Sequence, residues 1–142
     1  MTSSIIDKTC QFVEEKLAGD GSGHDWWHIH RVWNLAKNIA GQEEGTNLMI
    51  VELSALLHDI ADWKFHDGDE NKGPQMAKQF LTANHVESSV IDPVVEIIAS
   101  ISYKGAGVPT PMKTLEGQVV QDADRLDAIG ALGIARTFAY GG

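Results

Sequence analysis

The residues best suited to chemistry fall in four places along the chain. His58 and Asp59 end the apolar run Ala55-Leu56-Leu57, and Asp62 follows shortly after. His24, His28 and His30 lie upstream, and Asp122, Asp124 and Asp127 lie downstream. Imidazole and carboxylate groups together make a mixed N/O donor set for a divalent cation. Burying a His–Asp pair at the end of an apolar run costs several kcal/mol, roughly, unless a partner satisfies it. A metal ion would satisfy both groups. Taken singly, each has an ordinary structural reading, as a capped or hydrogen-bonded histidine or as a solvated acidic face. His24 and His28 are spaced i, i+4 and share a side if the helix has already begun at His24. No His-Glu-x-x-His pattern accompanies them, so a zincin is not indicated.

Helices must position these groups. A first helix is predicted from Ser3-Ser4 to about Leu17, with Ile5, Ile6, Phe12, Val13 and Leu17 roughly on one face. The glycine-rich stretch Ala18 to Gly23 is a loop. A second helix is expected from near Asp25 to Ala40, stopped by Gly41, with Ile29, Val32, Trp33, Ala36, Ile39 and Ala40 at helical spacing. Thr46-Asn47 can cap a third, Leu48 to about Ile60, apolar on more than one side and therefore central. Asp62 to Gly73 reads as a surface loop. Pro74 suits the first turn of a fourth helix through about Asn84. A fifth runs from Ile91 or Pro93 to Ser102, Tyr103 to Pro111 is a loop, and Thr114 to about Leu126 is helical, followed by Asp127 to Phe138. No segment alternates as a half-buried strand does. Trp26 and Trp27 are expected to pack rather than to stack on a base.

With 142 residues, 43% hydrophobic, the chain fits one domain with a substantial core. No apolar run reaches the roughly 20 residues of a membrane span, and no secretory signal is legible at the N-terminus. Cys10 is the single cysteine, which suits a reducing cytosol, so a cytoplasmic location is expected. A net charge of −9 argues against binding a nucleic acid polymer. A small anion held by a local basic cluster remains compatible with it. The abrupt end at Tyr140-Gly141-Gly142, after a promising helix, is what C-terminal truncation of a single domain over residues 1–142 would give.

Three pieces of the chain, in order, resemble the HD superfamily of metal-dependent phosphohydrolases. They are His28-Ile29-His30-Arg31-Val32, Leu56-Leu57-His58-Asp59-Ile60 and Asp122-Ala123-Asp124-Arg125-Leu126-Asp127-Ala128. The first matches the family's His-x-x-Arg-Val form, the second its His-Asp doublet, the third its Ala-Asp-Arg-Leu form. The resemblance spans about His24 to Arg136. It implies an all-α fold, a bundle of about six or seven helices. It also implies His28, His58, Asp59 and Asp124 as ligands of one divalent metal ion. Mn²⁺, Mg²⁺, Fe²⁺, Co²⁺ and Ni²⁺ suit such a set, and Zn²⁺ is compatible.

Related enzymes place an acidic residue at the offset of Asp62 to orient or deprotonate the attacking water, so Asp62 is the candidate catalytic residue. It shares a face with His58 if the helix persists that far. His24, Arg31, Lys64, Lys104 and Arg125 are the candidates for substrate phosphates, and Arg31 has the alternative of holding a supporting carboxylate. Ser102-Tyr103-Lys104-Gly105 resembles a segment of one HD subgroup, whereas the Gly-Tyr-Pro signature of another is absent. Asp122 and Asp127 are expected to support the ligands or to cap a helix. The implied activity is hydrolysis of a phosphoester or phosphoanhydride of a small molecule, foremost a nucleotide, as a nucleoside triphosphate pyrophosphohydrolase or a nucleotidase. The alternatives are a non-catalytic metal- or nucleotide-binding HD sensor module, and a zinc hydrolase with His24 and His28 as paired ligands. A homo-oligomer is compatible with the sequence.

Overall fold

Asn47 starts the helix around which the others pack. Its Oδ1 accepts from the Ile50 amide at 3.3 Å, an N-cap that satisfies one of the donors a helix start leaves open. Its own amide donates to Glu116 Oε2 at 2.8 Å, tying this start to the last of the described helices. The computed structural model describes residues 4–17, 26–60, 72–102 and 112–127. Among the described residues there are helices and no strand: α1 (Ile5–Leu17), α2 (Trp26–Gln42), α3 (Leu48–Leu57), α4 (Lys72–Ala83), α5 (Ser88–Ser102) and α6 (residues 115–127). The all-α expectation holds.

Seven consecutive or near-consecutive positions of α3, from Ile50 and Val51 through Leu53 to Leu57, are buried. A helix so apolar around its circumference must be enclosed, and α1, α2 and α5 enclose it, with α4 on α5. One face of α3 joins Val13, Leu17, Ile29, Leu81, Val94 and Ile98. The other, through Val51 and Ala55, joins Val32, Ala36 and Ala40 of α2 and Val119, Val120 and Ala123 of α6. Small residues at this second seam let α2, α3 and α6 approach closely, and that proximity brings their polar ends together.

Local chemistry sets the other boundaries. Ser4 caps α1, its Oγ accepting from the Asp7 amide at 3.2 Å. Thr114 caps α6, its Oγ1 accepting from Gly117 at 3.1 Å. Several expectations shift. Gly41 does not stop α2, which reaches Gln42, and the positive φ (+88°) falls at Gly45. Alpha-helical geometry in α3 ends at Leu57 rather than near Ile60, so His58 is the C-cap. The fourth helix begins at Lys72, inside the stretch expected as loop, and the fifth at Ser88, with Pro93 inside it. Asp127 belongs to the same helix as Asp124. No helix among the described residues is long and apolar enough to cross a membrane.

The turn after α4 carries a residue in an unusual conformation. His85 has φ +61°, its amide bonds Thr82 O, and the Val86 amide bonds Leu81 O, each at 3.1 Å. This is the Schellman arrangement, in which glycine is the residue without a steric cost. His85→Gly is therefore expected to raise stability by about 0.5–1 kcal/mol, read as a higher denaturant midpoint.

Candidate metal centre

Three helices deliver the polar groups. His28 lies in the first turn of α2, His58 caps α3 with Asp59 next in the turn, and Asp124 and Asp127 lie one turn apart on α6. The C-terminus of α3 carries a partial negative charge, which favours a cation beside His58 and Asp59.

The geometry is a cage of donors. His28 Nε2 stands 3.6 Å from Asp59 Oδ2 and 3.5 Å from Asp124 Oδ1. His58 Nε2 stands 3.7 Å and 3.5 Å from the same two oxygens. These separations are long for hydrogen bonds. Four donors placed tetrahedrally about 2.1 Å from a common centre would be about 3.4 Å apart. His28, His58 and Asp124 form a group able to hold a metal ion, their ligand atoms lying within 4.8 Å of one another.

Each imidazole is oriented from behind. His58 Nδ1 donates to the Ala55 carbonyl at 2.6 Å, and a carbonyl can only accept, so Nε2 is left to face the cage. That Nε2 is buried and has no hydrogen-bond partner among the described residues, a condition costing about 1–3 kcal/mol. A cation would relieve it, and the donor set fits one. His28 Nδ1 lies 2.7 Å from Asp127 Oδ2, and Arg31 Nε donates to Asp127 Oδ1 at 2.7 Å.

The electrostatics follow from this crowding. Asp124 and Asp59 facing Nε2, against the opposing effect of burial and with Asp127 on the far side, push the His28 pKa up to about 10. Burial works against a charge on His58, but Asp59 and Asp124 outweigh it and raise its pKa. Burial also opposes ionisation of Asp124, yet the two imidazoles hold it well below the usual carboxylate range. Asp127 is lowered in the same way, burial being outweighed by Arg31 and His28. Protons and a cation therefore compete for one place.

Of the residues singled out from the sequence, the fold brings together His28, His58, Asp59 and Asp124. Arg31 is engaged with buried Asp127, and Arg125 is exposed on α6. His24, Asp62, Lys64 and Lys104 lie outside the described residues. His30 points elsewhere, among the rings of Trp26, Trp27 and Trp33, with Asn34 on its Nδ1. Trp26 packs against the core as expected, but Trp27 is 64% exposed because the next position on the helix turns outward. Between the two carboxylates left unresolved by sequence, Asp127 supports His28 and Asp122 is exposed. The signal for Asp127 was its i+3 spacing from Asp124, which repeats the spacing of Arg31 from His28.

A bundle that is all-helical among the described residues, with a His…His-Asp…Asp cluster between three helices, defines a known class. The HD domain family model matches residues 26–129, and the chain belongs to that family, with the fold of the HD-superfamily hydrolases. It is 41% identical over 133 residues to the uncharacterized protein YpgQ of Bacillus subtilis (strain 168), covering 92% of this chain and 63% of that one. It is similar to the crystal structure of an HD-superfamily hydrolase from Bacillus thuringiensis, with 46% identity, TM-score 0.73 and coverage of 97% of this chain and 65% of that one. A crystal structure of Bacillus subtilis YpgQ in complex with ADP gives 39% identity, TM-score 0.66 and coverage of 96% and 65%. The chain thus spans slightly less than two thirds of the length of these relatives.

Proposed function

We propose that this chain is a phosphohydrolase that uses one divalent metal ion, held by His28, His58, Asp59 and Asp124, to cleave a phosphoanhydride or phosphoester of a nucleotide. The observation that carries the reading is the buried, unpartnered His58 Nε2 aimed into a cage of one further imidazole and two carboxylates. The ADP bound to the YpgQ relative supports a nucleotide as the substrate class. A cation with this donor set supplies Lewis acidity to a phosphoryl oxygen and acidifies the attacking water.

The protein's own groups do the rest. Ala55 O and Asp127 hold the two imidazoles in place. Asp62 would take the proton of the water. Arg31 holds the supporting Asp127, and Arg125, Lys64, Lys104 and His24 are the groups proposed to meet the phosphates, where charge develops in the transition state. Mn²⁺, Mg²⁺, Fe²⁺, Co²⁺ or Ni²⁺ suits the mixed donor set, with Zn²⁺ also compatible.

A screen of the purified chain against nucleoside triphosphates, monophosphates and cyclic nucleotides, with each divalent metal in turn, tests the reading. Release of pyrophosphate identifies the pyrophosphohydrolase type, and release of phosphate from a monophosphate the nucleotidase type. Tight nucleotide binding without turnover under any metal would overturn it in favour of a binding module.

The raised His28 pKa adds a pH dependence. At neutral pH His28 carries a proton that a ligand must give up. Metal binding near pH 7 is therefore expected to release protons, from His28 and also from His58, whose pKa is raised too, and affinity should climb as pH rises toward 10. Calorimetry in buffers of different ionisation enthalpy measures the proton count.

A further inference from the structure

His28 is gripped by two carboxylates from a single turn of α6. Its Nε2 faces Asp124 Oδ1 at 3.5 Å, and its Nδ1 lies 2.7 Å from Asp127 Oδ2. Asp127 is gripped in turn by Arg31, whose Nε donates to Oδ1 at 2.7 Å and whose Nη2 stands 3.4 Å from Oδ2. His28 with Arg31, and Asp124 with Asp127, are both i, i+3 pairs, so one helical turn meets another face to face.

We infer that Asp127 is a positioning residue for the metal: aligned by Arg31, its Oδ2 accepts the Nδ1 hydrogen of His28 and thereby fixes the tautomer whose Nε2 lone pair faces the cation. The inference rests on the metal-dependent reading and deepens it. Asp127 is buried, so water has little access to substitute for its oxygens. Both of its oxygens accept, and both facing groups donate.

An amide at position 127 breaks this match, because it offers one oxygen for two donors. The charged Arg31 is the stronger claimant. In Asp127→Asn the oxygen is therefore expected to stay with Arg31 Nε, which turns the amide NH₂ toward His28 Nδ1. Nδ1 must then accept, and the ring hydrogen moves to Nε2, where it blocks ligation. Taking the donors of Arg31 away frees the amide oxygen to turn back to His28.

Calorimetric titration of the full chain with Mn²⁺ tests this, using D127N, R31M, the double variant R31M/D127N and H58A beside the wild type. D127N is expected to bind about 10–100-fold more weakly. R31M, which keeps the carboxylate, should lose less than D127N. The double variant should bind more tightly than D127N alone. Recovery on adding a second substitution is a result that loss of packing does not produce, and thermal melts of each variant report its fold separately. Wild-type affinity in D127N, or a double variant weaker than D127N, would overturn the role of Asp127. The H58A control separates the two ideas. If H58A binds Mn²⁺ like the wild type, the metal reading itself fails. If H58A loses binding while D127N keeps it, only the role of Asp127 fails.

Discussion

His58→Ala is expected to abolish both Mn²⁺ binding and nucleotide hydrolysis while leaving a folded chain. His58 contributes one intramolecular hydrogen bond, from Nδ1 to Ala55 O, worth about 1 kcal/mol net. Its Nε2 has no hydrogen-bond partner among the described residues and faces Asp59 and Asp124 at 3.7 and 3.5 Å. Removing this buried imidazole takes away one whole ligand, and thermal melts of the metal-free variant report its separate cost to the fold. Metal-linked stabilisation makes the contrast measurable. A cation at 100 times its Kd raises the unfolding free energy of the wild type by about 2.7 kcal/mol. The same addition should leave the melting temperature of His58→Ala unmoved. Asp59→Ala should behave alike in binding and activity. A variant at either position with full activity would show that the metal is held elsewhere.

Leu53→Ala is expected to act in the opposite way, through the fold. Leu53 is fully buried in α3, the helix whose end carries His58 and Asp59. Truncation there removes apolar contacts and leaves a cavity, at a cost of about 2–5 kcal/mol. For a domain of this size that lowers the melting temperature by about 10 °C. Leu126→Ala on α6 is the matched control. That side chain is 49% exposed, and its loss should stay within about 0.5 kcal/mol. Equal losses from both variants, read by thermal melts, would contradict the central placement of α3.

Much of this arrangement was legible in the sequence because it depends on local rules. Asn47 and Thr114 announce helix starts through their side-chain oxygens, and the all-round apolar character of α3 announces enclosure. The resemblance carried by three short motifs selected His28, His58, Asp59 and Asp124, which the fold brings to one place. What was not legible depends on tertiary contact. Helical spacing puts Asp127 on the side of Asp124 and Asp122 off it, but only the packing of α6 on α2 sets Asp127 against His28. Trp27 differs from Trp26 by one helical step, which carries it out of the core. The early end of α3 at Leu57 likewise reflects the turn that lets His58 and Asp59 both face the cage, and periodicity alone would have continued the helix.

One cation is expected to sit among these four residues. A crystal of the chain grown with Mn²⁺ and measured at the manganese absorption edge tests it most directly. The expected result is a single strong anomalous peak about 2.2 Å from His28 Nε2, His58 Nε2 and one oxygen each of Asp59 and Asp124. A peak beside His24 but away from His58, or no peak at saturating Mn²⁺, would contradict it.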